Sequence, residues 1–129
     1  MRKIDVDALR EKFGVVELWN KVLVNTTPHP VHILLQGEVL EVPAAKQPLR
    51  LREEASFIGI AGSVPLFRKE FFVEDSLPPE DEEGEILYIV PAIIAQFFRR
   101  TRRDLVVPHD FVRDTNGNVL GCQGLAFLD

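Results

Sequence analysis

Apolar and polar residues alternate along most of this chain, and the period is usually two. "VVELWNKVLVN", starting at Val15, is β-branched and roughly alternating, which predicts one strand. "VHILL", a turn at "QGE" and "VLEVP" predict a hairpin over 31–42. "PLRLR" alternates as a further strand. "SFIGIAGSVPLFRKEFFV" reads as two strands joined near "AGS", with Pro65 placing the second at an edge. "EILYIV" is continuously apolar and predicts a buried strand, and Asn116-Gly117 between apolar runs predicts a closing hairpin. Helical spacing occurs twice. Asp5 or Asp7 can cap a short helix over "DALREKF", with Gly14 as its stop. Pro91 opens a central helix over about 91–100, with Ile93, Ile94, Phe97 and Phe98 on one face and Arg99 and Arg100 in its last turn. The pattern predicts a small α+β domain, mostly antiparallel strands and hairpins, occupying 1–129, with 1–14 as an N-terminal helical extension.

Composition narrows the function classes. The 129 residues suit one domain, and nine phenylalanines are enough for a core. No apolar run reaches the roughly 18 residues that a membrane helix needs, so no membrane partner is expected. The opening "MRKIDVDALREKFG" has acids where a leader needs apolar residues, so a cytoplasmic location is expected. Cys122 is the single cysteine, which excludes an internal disulfide and a multi-cysteine zinc site. The net charge of −5 argues against coating long nucleic acid, though not against a small anion in a local basic pocket. Seven acids crowd 74–85, which reads as an exposed loop, while "FRRTRR" carries four arginines.

One histidine stands out. His29 lies between Pro28 and Pro30 in "TTPHP". Each proline restricts the residue before it and offers no N–H, so the backbone there is stiff. An imidazole held at low entropic cost suits general acid–base work or donation to a phosphate. The alternative is a histidine packed on the sheet. His32 is three residues further on, so in an extended chain it would face the other way. His109 in "VPHDF" reads as a loop histidine, and Cys122 as a buried, inert thiol. No phosphate-binding glycine loop, dinucleotide fingerprint or metal-ligand spacing is present, so neither a cofactor nor a metal is expected. The arginines suit phosphate recognition by their forked geometry, yet Arg103 and Arg113 each have an aspartate beside them that suits a structural pairing.

Taken together, "VNTTPHPVHI", "LYIV", "RRDLVVP" and "FVRDTNGNVLGCQGL" resemble a family of small bacterial and phage proteins. Its pattern runs N-L-T-P-H-x-V, Y-I-V-S, R-x-D-L and V-R-D-x-x-G-x-x-I-G-C. The resemblance spans about 22–125 and extends to small homodimeric ring nucleases that degrade cyclic oligoadenylate, a messenger of type III CRISPR immunity. It implies metal-independent cleavage by a ribose 2′-hydroxyl, leaving a 2′,3′-cyclic phosphate. By position it implies His29 as acid or base, with Thr27 and Asn25 orienting the phosphate. Thr26, Arg100, Arg103 and Arg113 would then bind the substrate. A homodimer is the implied assembly. Thr26 stands where the pattern has leucine, and Pro91 where it has serine. Two other classes remain open from the residues: a module that binds a cyclic nucleotide without cutting it, and a structural interaction protein.

Overall fold

A computed structural model describes residues 4–128. They fall into two units, Leu49–Pro78 and the remainder. The larger unit opens with α1, Val6–Lys12, capped as expected: the Asp5 carboxylate accepts from the N–H groups of Asp7 and Ala8 at 3.0 and 3.4 Å. Two short strands follow, β1 (Gly14–Glu17) and β2 (Val22–Asn25), paired antiparallel. The single strand expected from Val15 is therefore two. The break is a turn in which the Leu18 N–H donates to the Lys21 carbonyl at 2.7 Å, leaving Trp19 fully exposed. The 31–42 hairpin forms as read, with β3 (Val31–Leu35) and β4 (Glu38–Val42) joined at Gly37, whose φ of 82° suits glycine.

In the smaller unit, "PLRLR" and "SFIGIA" merge into one long strand. This unit is the hairpin β5 (Leu51–Ala61) and β6 (Val64–Val73), turning at Gly62. Back in the larger unit come β7 (Ile86–Ile89), α2 (Ala92–Phe97), β8 (Leu105–Arg113) and β9 (Val119–Ala126). The seven strands of this unit run in the order β1-β2-β7-β8-β9-β3-β4 and curl toward closure.

The centre of that sheet is parallel, not antiparallel: β2 pairs β7, and β7 pairs β8, both in parallel. Strands of such a centre are covered on both faces and read as unbroken apolar runs. Thus Val22, Leu23 and Val24 of β2 and Ile86, Tyr88 and Ile89 of β7 are all buried. α2 is the crossover that a parallel β7–β8 pair requires. It is shorter than expected: Pro91 is its N-cap and Phe98 its C-cap, so Arg99 and Arg100 lie beyond the helix. Its apolar stripe sinks Ile94 into the core but leaves Phe97 65% exposed.

Gly14 does not stop α1; Phe13 caps that helix in an extended conformation. Gly14 instead starts β1 against the segment after β4. A Cβ there would sit 1.7 Å from the Pro43 carbonyl oxygen, so only glycine lets the two ends of the curled sheet approach this closely. His109 lies within β8 opposite Gly124, not in a loop. A local irregularity disguises this strand in the sequence, with Asp110 at a φ of 61° beside it.

Candidate functional site

The site is built where β2 ends. Asn25 is completely buried, in register with Ile89 of β7 and Gly14 of β1. Its carboxamide organises the next four residues. The Oδ1 accepts from the Thr27 N–H at 3.0 Å and from the Thr27 hydroxyl at 2.7 Å. The Nδ2 donates to the His29 carbonyl at 2.8 Å and to the Pro43 carbonyl at 3.1 Å. This is the local turn chemistry that asparagine favours, here wrapped around a buried amide. Pro28 and Pro30 need no partners for missing N–H groups, so a tight bend can form without unsatisfied donors. The bend is tied down further by the Ala45 N–H, which donates to the Thr27 carbonyl at 2.9 Å.

Thr26 points into the body. Its hydroxyl and its N–H both donate to the Ile89 carbonyl, at 2.7 and 3.0 Å, and the residue is fully buried. Thr26, expected to touch a substrate, here fixes the bend to β7. Both polar side-chain atoms of Asn25 are likewise occupied within the protein, where they position the loop. Thr27 is half-buried with its hydroxyl between Asn25 Oδ1 and the His29 carbonyl, 3.0 Å away.

His29 is exposed at the rim of a cavity of about 580 Å³. Thr27, Pro28 and Pro30 share that rim. Apart from His32 the rest is largely apolar: Val31 and Cys122 from β3 and β9, Phe111 from β8, and Val90, Pro91 and Ala92 at the entry to α2. Three segments far apart in sequence thus meet on one cleft: 27–32, 90–92 and 119–122. Pro91 borders it directly.

His32 borders the same cavity. The expected opposition of the two imidazoles fails because 27–29 form a bend and β3 starts only at Val31. Strand alternation therefore does not carry from one histidine to the other. The His32 Nε2 also lies 3.5 Å from Glu41 Oε1 across the β3–β4 pair. His109 is exposed on β8 and does not border the cavity.

Among the described residues, no arginine lines this cavity. Arg113 donates through Nη1 to the Gly117 carbonyl at 2.9 Å and braces the β8–β9 turn. Arg103 is exposed, and its backbone N–H donates to Glu80 Oε1 at 2.8 Å. Arg100 lies in the exposed turn after α2. The best-held guanidinium is Arg102, forked onto the buried Asp104 at 2.9 and 2.7 Å and lying 5.9 Å from the centre of the Tyr88 ring. Burial, with the Asp104 charge adding, pushes the Tyr88 phenol up to about 12. Within the basic run, Arg102 is thus a structural clamp at the start of β8. Among the described residues, no group of three or more histidine, cysteine, aspartate or glutamate side chains converges to hold a metal ion. No described helix is long and apolar enough to cross a membrane. Set against protein-family models, characterised proteins and solved structures, the chain matches none.

Proposed function

We propose that the His29 cleft binds a cyclic oligoadenylate and opens it by attack of a ribose 2′-hydroxyl on the adjacent phosphate. The observation that carries this reading is the pair of imidazoles, His29 and His32, bordering one cavity. The reaction needs two proton transfers. One ring takes the proton from O2′ as the O2′–P bond forms. The other gives a proton to O5′ as the P–O5′ bond breaks, leaving a 2′,3′-cyclic phosphate and a free 5′-hydroxyl. Histidine can do either near neutrality. The apolar walls suit the faces of adenine, and the braced bend around Asn25 holds one imidazole at low entropic cost. The convergence of 27–32, 90–92 and 119–122 on the cleft gives parts of the resembling segments one place to act.

A second reading has its own observation. Among the described residues no guanidinium borders the cavity, and phosphoryl charge is normally stabilised by such donors. That favours a module that holds the nucleotide ring without cutting it. Incubation of the pure chain with cyclic tri-, tetra- and hexa-adenylate in chelator separates the two. Cleavage that falls by about 10²–10⁴ in His29→Ala and in His32→Ala supports the enzyme. Binding without turnover supports the module, and absence of binding to every ring removes both.

A further inference from the structure

The two faces of the β5–β6 hairpin differ in kind. Its register sets Leu51 opposite Val73, Glu53 opposite Phe71, Ala55 opposite Lys69 and Phe57 opposite Phe67. Opposed residues, and those two further along, share a face. One face is therefore apolar apart from Glu53 and Lys69, which form an ion pair at 2.9 Å. At its middle, Phe57 and Phe67 meet edge-on at 5.8 Å, yet remain 60% and 57% exposed. Beyond the bulge at Phe57/Gly59, Ile60 sits opposite Pro65 and is 63% exposed. The other face is mixed: Arg52, Glu54, Ser56, Arg68 and Glu70 make its middle polar, while Phe72 at one end and Leu66 and Val64 toward the turn are apolar and exposed.

The edges of this hairpin are blunted, whereas its apolar face is not. The bulge interrupts β5, and Pro65 removes an N–H from β6; both discourage the addition of another strand. A two-stranded sheet with an uncovered apolar face is also marginal by itself. We propose that a second copy of this chain covers the face, hairpin stacked on hairpin about a two-fold axis. Such an interface must be complementary to itself. This face qualifies, because it offers one acid and one base. Glu53 of each copy can meet Lys69 of the other, whereas the chain as a whole, at −5, repels its like.

The area fits a reversible dimer. A large side chain offers about 200 Å², so Leu51, Phe57, Ile60 and Phe67 at 37–63% exposure, with their smaller neighbours, give each copy roughly 500 Å². The total of about 1,000 Å² is at the lower limit for a specific interface. This inference does not rest on the nucleotide reading.

Sedimentation velocity across the micromolar range tests it. The wild-type chain should pass from monomer to dimer, and Phe67→Lys should stay monomeric while keeping the wild-type circular-dichroism spectrum. Glu53→Lys and Lys69→Glu should each weaken self-association about tenfold, and an equimolar mixture of the two should recover it. If Phe67→Lys fails to fold, the charge-swapped pair decides alone. A wild-type monomer at every concentration, open-ended oligomers, or dimers indifferent to all these substitutions would overturn the proposal.

Discussion

Replacing Asn25 by alanine tests the bend directly. The carboxamide takes part in four hydrogen bonds between 2.7 and 3.1 Å, and the residue is fully buried. Each such bond contributes about 1 kcal/mol net, and a buried group left unpaired costs about 1–3. The His29 carbonyl keeps the Thr27 hydroxyl nearby, while the Thr27 N–H and the Pro43 carbonyl lose the partner they had. The expected cost is about 3–4 kcal/mol, a large share of the 5–15 that holds a typical domain. At this chain length the midpoint of thermal unfolding should fall by roughly 10–15 °C. Hydrogen exchange at the Thr27 amide should speed up by more than the global loss explains. Asn25→Asp sharpens the test, because a carboxylate would then face two carbonyl oxygens. Its folded-state pKa must rise, so the variant is most stable below the ordinary aspartate pKa and loses stability as pH rises through the raised one. A melting midpoint within about 3 °C of wild type for Asn25→Ala, or an Asn25→Asp chain that gains stability from acid to neutral pH, would refute the reasoning.

Other expectations follow from the same structure. Gly14→Ala places a Cβ against backbone 1.7 Å away and should cost more than about 3 kcal/mol by chemical denaturation, whereas Gly124→Ala, in open space, should stay within about 1. Asp114 accepts from the N–H groups of Asn116 and Asn118, both at 2.9 Å, and its carboxyl is held below its usual range chiefly by the Asn118 N–H. The stability it lends the β8–β9 turn is present above the ordinary aspartate pKa and lost as pH falls through the lowered one, which a chemical-shift titration of the turn amides will follow. Tyr88, raised to about 12 by burial, contributes stability that is complete below its ordinary value of 10.0 and lost as pH rises through about 12. Ultraviolet difference titration should show no phenolate near 10 in the folded chain, and an ordinary Tyr88 titration would contradict its burial.

Local signals were legible and long-range ones were not. The α1 cap at Asp5, the hairpins turning at Gly37 and Gly117 and the opening of α2 at Pro91 each depend on a few adjacent residues. The parallel centre depends on β2 meeting β7 across some 60 intervening residues, which no local pattern encodes. In the site, the stiffness around His29 was readable from its prolines. The role of Asn25 carried a signal that was available, an asparagine two residues before a Thr-Pro bend, which is Asx-turn chemistry. Strand parity misplaced His32 because it assumed one continuous strand through Pro30. The arginines' partners were only partly legible, because charge on a sequence does not reveal which group a guanidinium turns to. Arg102 turns to Asp104, and Arg113 turns to its own hairpin.

The product of a metal-free reaction tests the central claim most directly. The pure chain is incubated with cyclic oligoadenylate in chelator, and the products are separated and weighed by mass spectrometry. Attack by an internal 2′-hydroxyl adds no water, so the first linear product should have the mass of the intact ring and a new retention time, and it should be absent with His29→Ala. A ring that survives unchanged, or a first product already heavier by one water, would contradict the account.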